Sequence, residues 1–172
     1  MQRVIYPKEH LPDKNSETNV VLVRPVSPED EEGLRRMLSR LSRESVYLRF
    51  HAPLPRAPEW AVAMFANVDR RYGESLVAVA DGEVVGHAMY VRQAGNDGAE
   101  FAIVVEDRCQ ARGIGKQLLS ALAERAGCEG VKSFTGAVLG ENRRMFGLAR
   151  SVFERVGYAM EDGAYAVSAP LL

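Results

Sequence analysis

The sequence lacks several features that mark whole classes of protein. It has two cysteines, Cys109 and Cys128, in 172 residues, too few and too far apart for a disulfide framework or a C-x-x-C zinc site. Its 22 basic and 23 acidic residues leave a net charge of −1, so there is no bulk attraction to nucleic acid or anionic lipid. We therefore expect no nucleic-acid partner, no metal and a reducing, cytoplasmic setting.

Long apolar runs are also missing. Nowhere do about 18 apolar residues follow one another, as a membrane span requires, and Pro7, Lys8 and Glu9 interrupt the N-terminus where a secretory signal would be apolar. With 47% hydrophobic and 26% charged residues, the composition is that of an ordinary globular protein. We expect no membrane association, a polar arm at 1–19 and one folded domain at 20–172.

Strand and helix patterns alternate along that domain. The apolar spacing predicts helices at about 28–41, 59–67, 113–127 and 142–156, with an irregular stretch at 48–58. Strands are predicted at 20–24, 75–80, 84–91, 99–105, 134–139 and 158–167, the second and third joined by a tight Asp81-Gly82 turn. The strand at 99–105 is almost wholly apolar, so we expect burial on both faces. This order predicts an α/β fold with a mixed, mostly antiparallel central sheet flanked by helices.

The most informative segment is the loop Gln110-Ala111-Arg112-Gly113-Ile114-Gly115 between a strand and a helix. The unpaired N–H groups of a helix start suit a pyrophosphate, and the glycines allow it to approach closely. Lys116 and Arg112 add positive charge. Gln117 follows Lys116 where a P-loop needs serine or threonine, and Leu118 replaces the third glycine of a dinucleotide fingerprint. An ordinary strand-to-helix turn stays open as the alternative.

The spacing Gln110-x-x-Gly113-x-Gly115 after a strand resembles the pyrophosphate motif of the GNAT superfamily of N-acetyltransferases. Arg24-Pro25 and Gly157-Tyr158 are similar to the first and closing strands of that superfamily. The resemblance implies acetyl-CoA as co-substrate. It would be held by the backbone of one strand, by the loop and by the late helix, that is by Ile103, Val104, Val105, Gln110, Ala111, Arg112, Gly113, Ile114, Gly115, Lys116, Asn142 and Met145. A plain helix N-cap explains Asn142 comparably well.

Within the superfamily, four segments are similar to the bacterial Pat-type protein lysine acetyltransferases: Tyr6-Pro7, Ser42-Arg43-Glu44-Ser45, Tyr47-Leu48-Arg49-Phe50 and Ala99-Glu100-Phe101-Ala102. This likeness implies transfer to a lysine ε-amine of a protein, for example an acyl-CoA synthetase, with Glu100 as general base. A lysine has a pKa of about 10.4 and must lose a proton first. Partial burial in an apolar strand would make the Glu100 carboxylate a stronger base.

Three alternatives remain open at this stage. The acceptor could be a small-molecule amine, the chain could be a CoA-binding module without turnover, and Glu100 could merely mark the solvent end of a strand. Many relatives place a tyrosine on the late helix to protonate the leaving thiolate, whereas this chain has Phe146 and Phe153 there. Tyr90 and Tyr158 are possible substitutes. Cys109 has no histidine nearby in sequence, so we expect direct transfer.

Overall fold

Seven strands form one sheet in the computed structural model, which describes residues 20–171. The predicted arm at 1–19 lies outside the described residues. The strands are β1 Leu22–Pro25, β2 Gly73–Ala80, β3 Glu83–Arg92, β4 Gly98–Val105, β5 Ser133–Val138, β6 Gly157–Glu161 and β7 Ala164–Pro170. The helices are α1 Glu31–Ser39, α2 Arg43–Phe50, α3 Glu59–Ala66, α4 Ile114–Cys128 and α5 Arg143–Val152, with short 3-10 turns at Pro28–Asp30 and Asp107–Cys109.

The sheet has the mixed, mostly antiparallel character that the sequence predicted. Its strand order is β1-β2-β3-β4-β5-β7-β6, and β4–β5 is a parallel pair while the other neighbours are antiparallel. The predicted β2–β3 hairpin is present, with positive φ at Asp81 (50°) and Gly82 (76°). A two-residue turn of this kind needs positive φ at both positions, which Asp-Gly tolerates well.

Apolar side chains cover both faces of the sheet. On one face the predicted stripe of α4 is buried and packs with strand residues such as Phe101 and Phe134. On the other face α1 and α3 pack through Leu34, Met37 and Phe65, which are fully buried. Each helix thus buries one stripe against a strand surface, which is the expected arrangement for a layered α/β domain.

The central feature of the sheet is the short pairing of β4 with β5. Within the described chain these strands pair only through residues 98–100 and 133–135. β5 then continues with β7 as its partner, whereas residues 101–105 of β4 pair with β3 and with no second strand among the described residues. β4 therefore has an open edge inside the sheet. Its later residues Ala102, Ile103 and Val105 are only half-buried, so the expectation of burial on both faces was wrong.

The structure contains a helix that the sequence analysis missed. α2 covers Arg43–Phe50, including positions 48–50 that were assigned to an irregular stretch. It begins where the Ser42 side chain accepts a hydrogen bond from the Ser45 N–H at 3.1 Å, the usual device for a helix start. It ends at His51, whose φ is 53°, shortly before Pro53. Helix α5, in contrast, is shorter than predicted because Phe153 turns to an extended conformation and enters the core.

His87 lies completely buried on β3, stacked against Phe65 with ring centroids 3.8 Å apart. The Ser75 hydroxyl donates to the Phe65 carbonyl at 2.7 Å, so it accepts the hydrogen bond from His87 Nε2 at 2.6 Å. The ring is therefore protonated on Nε2, and its Nδ1 atom has no partner among the described residues. Burial, assisted by the positive charge of Arg49, holds the pKa of His87 well below its ordinary value.

This arrangement predicts acid-sensitive stability. Below about pH 6.5 an unfolded histidine binds a proton that folded His87 does not, so the free energy of unfolding falls as the pH is lowered. We expect a slope approaching about 1.4 kcal/mol per pH unit between pH 6 and 5 in denaturant titrations. His87→Gln should remove this slope, whereas His51→Asn, a change at an exposed histidine, should keep it. An unchanged slope in His87→Gln would contradict the assignment.

Candidate active site

A cleft of about 380 Å³ runs along the open edge of β4, bounded by α2, the loop before α4 and the start of α5. We call it the β4 cleft. Ten of the twelve predicted cofactor-binding residues line it: Ile103, Val104, Val105, Gln110, Ala111, Gly113, Gly115, Lys116, Asn142 and Met145. Five more that the sequence analysis did not assign complete the wall: Ser45, Leu48, Arg49, Arg144 and Leu148. The lining includes basic side chains and no acidic one, which suits a polyanionic ligand.

The loop before α4 presents backbone amides to the cleft. The hydrogen bond from the Gln117 N–H to the Gly113 carbonyl, 3.0 Å long, starts the helix. The amides of Ile114, Gly115 and Lys116 precede it and have no intrahelical acceptor. Ala111 and Gly113 both have positive φ, 58° and 82°, which curves the loop. Free amides at the positive end of a 15-residue helix form a phosphate-binding arrangement.

The strand register determines which β4 amides face the cleft. Glu106 N–H donates to Val85 C=O at 2.8 Å and Gln93 N–H donates to Gly98 C=O at 2.9 Å. Because hydrogen-bonded pairs alternate along an antiparallel ladder, Val104 is bonded to β3. The backbone N–H and C=O groups of Ile103 and Val105 point away from β3, into the opening between β4 and β5. Of the three amides expected to contact pantetheine, those of Ile103 and Val105 are available.

The side chain of Gln110 makes hydrogen bonds to three elements that line the cleft. Its Nε2 donates to the Val105 carbonyl at 3.0 Å and to Ser45 Oγ at 3.2 Å, while its Oε1 accepts from Arg144 at 2.6 Å. One side chain thus joins β4, α2 and α5. Gln110 therefore positions the three elements around the cleft, a role that the motif alone did not reveal, while its contact with the ligand stays a prediction.

Asp107 makes a second link between α2 and the loop. It accepts hydrogen bonds from the Ser42 N–H and the Ser42 and Ser45 hydroxyls at 2.6–2.9 Å. Burial by itself raises the pKa of Asp107, but these hydrogen bonds outweigh it and hold the pKa below its ordinary value. The carboxylate is therefore ionised at neutral pH and fixes the start of α2 beside the β4–α4 connection.

The remaining predicted binding residues have mixed placements. Asn142 caps α5, because its Oδ1 accepts from the Met145 N–H at 3.1 Å, and both residues still line the cleft. Arg112 is exposed and does not line it. Ile114 points into the core, being 3% exposed, so it contributes its amide rather than its side chain.

Glu100 lies on β4 three residues before Ile103, outside the lining of the β4 cleft. Its side chain is exposed, so the partial burial that we expected is not found. Across β3 its partner is Val91, which is 43% exposed. The carboxylate therefore stands at an open surface beyond the end of the cleft, where a large acceptor has access to it.

Arg49 is the largest departure from the predicted site. Its guanidinium lies 5.1 and 5.2 Å from the ring centroids of Phe65 and Phe50, and none of the described carboxylates is within 4 Å. Burial lowers the pKa of Arg49 to about 10, with Glu100 acting in the opposite direction. The side chain stays charged at neutral pH, at a folding cost of roughly 3 kcal/mol relative to a solvated arginine.

The candidates for a general acid or a covalent nucleophile do not line the cleft. Tyr90 is 2% exposed and packs against Phe134, and burial raises its pKa. Tyr158 lies on β6 against Phe146, which occupies the late-helix region where relatives have a tyrosine. Cys109 is buried in the core. The general acid therefore stays unassigned, and direct transfer stays a prediction.

Comparison with known proteins decides the family. The model of the "Acetyltransferase (GNAT) family" matches residues 35–158. The chain belongs to the GNAT acetyltransferase family. It is accordingly an acetyl-CoA-dependent N-acetyltransferase, and the β4 cleft, with its amides and basic lining, fits acetyl-CoA as co-substrate. Among residues 20–171, no group of three or more His, Cys, Asp or Glu is placed to hold a metal ion, and no helix there has the length and apolarity to cross a bilayer.

Two relatives are similar enough to compare in sequence. Acetyltransferase Pat of Mycolicibacterium smegmatis is 36% identical over 141 residues, 78% of this chain and 40% of that protein. The chain thus spans less than half of that relative. The crystal structure of the GNAT domain of S. lividans PAT has 31% identity and a TM-score of 0.79, and covers 87% of this chain and 89% of that one.

A third structure shows the fold alone. The GNAT phosphinothricin acetyltransferase (Pat) of Sinorhizobium meliloti, solved in complex with AcCoA, is 21% identical, with a TM-score of 0.68 over 88% of each chain. The same arrangement of sheet and helices therefore persists among GNAT proteins that have diverged far in sequence.

Two glycines, one on each side of α4, allow a matched test of the loop. Gly113 at its start and Gly130 just after its end have φ of 82° and 84°, and a Cβ added at either would meet nothing within 4 Å. Alanine at each should cost a similar 1–2 kcal/mol, roughly, for the left-handed conformation. Gly113, however, lines the β4 cleft, and we expect the added methyl to enter space that a bound pyrophosphate would occupy.

We therefore expect Gly113→Ala to weaken acetyl-CoA binding by about tenfold, or about 1.4 kcal/mol, in a calorimetric titration. Gly130→Ala should bind like the wild type. Denaturant unfolding of both variants checks that their losses of stability are matched. Equal acetyl-CoA affinities in the two variants would show that this loop does not hold the ligand.

Proposed function

We propose that the protein transfers the acetyl group of acetyl-CoA to a lysine ε-amine of a protein substrate in the cytoplasm, with Glu100 as general base. The observation that carries this proposal is the position of Glu100: an exposed carboxylate on the strand whose free amides line the β4 cleft. The likeness to the Pat proteins over most of the chain supports it.

The surroundings of Glu100 favour a macromolecular acceptor. Val91, the cross-strand partner of Glu100 on β3, is 43% exposed. An exposed base beside an exposed apolar side chain leaves room for a folded or extended polypeptide to dock. A small amine would be better held by an enclosed pocket with several polar contacts.

The proposed chemistry is direct attack. Glu100 takes a proton from the lysine ammonium, and the neutral nitrogen attacks the thioester carbonyl carbon. Negative charge develops on the carbonyl oxygen, where the free amides of β4 can stabilise it. The carbon–sulfur bond then breaks, and the nitrogen, which became cationic on attack, releases its second proton to solvent as the amide product forms. The CoA thiolate leaves and is protonated by solvent. No side chain is assigned to that last step.

The base is tested by Glu100→Gln, with Glu124→Gln, an exposed glutamate on α4, as the matched control. We expect kcat to fall about 10²- to 10⁴-fold in Glu100→Gln because general base catalysis is lost. The affinity for acetyl-CoA should stay unchanged, and the control should behave like the wild type. Thiol release measures turnover and calorimetry measures binding. Wild-type kcat in Glu100→Gln would remove Glu100 from the mechanism.

The acceptor is tested by thiol release with a panel of lysine-containing proteins, including an acyl-CoA synthetase, and a panel of small amines. We expect release with a protein acceptor, together with a mass increase of one acetyl group on a lysine. Release with small amines alone would instead identify a small-molecule acetyltransferase. Acetyl-CoA binding without acceptor-dependent release anywhere would indicate a CoA-binding module.

A further inference from the structure

Helix α2 places Arg49 in the wall of the β4 cleft, whose lining also includes Leu48, Ile103 and Val104. The phosphate-binding amides of residues 114–116 lie at another part of the same cleft. Pantetheine running along the open edge of β4 from the loop passes Val105 and then Ile103, so the acyl group lies beyond Ile103. Arg49 lines this region, and Glu100, further along β4, acts on it electrostatically. A thioester bound in this way would lie next to the part of the wall that Arg49 forms.

The nitrogen atoms of Arg49 have different surroundings. Nε is closed off from solvent and has no hydrogen-bond partner, and Nη2 contacts Met89 Sδ at 4.0 Å. Nη1 has no partner among the described residues and, unlike Nε, is not closed off from solvent. The guanidinium therefore has an available N–H donor on the side that solvent and ligands reach.

The guanidinium of Arg49 is held in this place by cation–π contacts with the rings of Phe50 and Phe65, and it also contacts Met89. These contacts supply no carbonyl or carboxylate acceptor, so Nη1 stays available as a donor. The phosphates of CoA, which are permanently anionic, belong at the loop before α4. At the acyl end, negative charge appears when the thioester carbonyl becomes tetrahedral, and a buried, preorganised donor is most effective against such charge.

We propose that Arg49 is a further catalytic residue, whose guanidinium donates to the thioester carbonyl oxygen as negative charge develops there. It assists the β4 amides. The neutral amine nitrogen bonds to the carbonyl carbon, and the electron pair of the carbonyl moves to oxygen. That pair returns as the carbon–sulfur bond breaks, the nitrogen releases a proton to solvent, and the thiolate leaves. Arg49 neither gains nor loses a proton in this sequence. The inference depends on acetyl transfer itself and not on the identity of the acceptor.

The test compares Arg49→Met, which keeps the apolar stem, with Arg49→Lys, which keeps the charge. Arg43→Met is the matched control, since Arg43 is an exposed arginine on the same helix. We expect Arg49→Met to lower kcat about 10²- to 10³-fold, the usual effect of losing such a donor. The affinity for CoA should stay within twofold of wild type, Arg49→Lys should recover part of the rate, and Arg43→Met should match the wild type.

Stability gives a second readout. The guanidinium of Arg49 is half-buried and has no described carboxylate within 4 Å, while its contacts with Phe50 and Phe65 offset part of the lost hydration. The unfolding midpoint of Arg49→Met should therefore stay close to that of wild type, whereas a purely structural role would lower it. A lowered midpoint together with a proportional loss of CoA affinity would overturn the proposal, since Arg49 would then only support the fold.

Two further measurements separate this inference from the proposed function. Rates are measured with the best acceptor and also as hydrolysis of acetyl-CoA by water, which passes through the same charged carbonyl and needs no acceptor. A kcat unchanged in Arg49→Met in both assays would overturn the role of Arg49 whatever the acceptor is. Acyl-CoA donors with a terminal carboxylate are compared as well. The wild type could prefer these carboxylate-bearing donors, and Arg49→Met could abolish that preference without changing the rate of acetyl transfer. This result would also overturn the proposed catalytic role of Arg49.

Discussion

The active site depends on one constraint in the sheet, the early end of the pairing between β4 and β5. Three residue pairs join the strands, after which β5 turns to β7 and β4 keeps only β3 within the described chain. Unpaired backbone N–H and C=O groups are costly inside a protein. The groups along this edge therefore need hydrogen-bond partners from a ligand, solvent or side chains. Gln110 satisfies the Val105 carbonyl, and the amides of Ile103 and Val105 are left for the substrate. The opening in the sheet thus creates both the space and the hydrogen-bonding groups of the cleft.

The walls of this opening come from parts of the chain that are distant in sequence. Ser45 of α2 and Asp107 after β4 are joined at 2.8 Å, 62 residues apart, and Arg144 of α5 reaches Gln110 across 34 residues. Each of these contacts involves an ionised side chain, the Asp107 carboxylate in one and the Arg144 guanidinium in the other. Hydrogen bonds to ionised groups, which are stronger than neutral ones, therefore set the width of the cleft.

Local patterns in the sequence were sufficient for much of the fold. The Asp81-Gly82 hairpin, the apolar stripe of α4 and the glycine loop each depend on neighbouring residues, and these were predicted with small errors in their bounds. The opening of the sheet depends on which strand β5 pairs with, and no local pattern encodes that. The burial of Arg49 against Phe65 of α3 and Met89 of β3 likewise depends on contacts between distant parts of the chain. A charged residue inside the apolar run Val46-Tyr47-Leu48-Arg49-Phe50 was the available signal for Arg49, and it was read as family likeness only.

Helix α2 also fixes the distance between the two ends of the β4 cleft. Ser42, hydrogen-bonded to Asp107 at the base of the loop, and Arg49, at the acyl end, are seven residues apart along it, about 10 Å at a rise of about 1.5 Å per residue. The helix is therefore a rigid spacer between the phosphate end and the reacting end of the cleft. Insertion or deletion of one residue between them would turn Arg49 about 100° around the helix axis while leaving the loop intact. Evolution of this region is therefore constrained in the number of its residues as well as in the side chains at Ser42, Ser45 and Arg49.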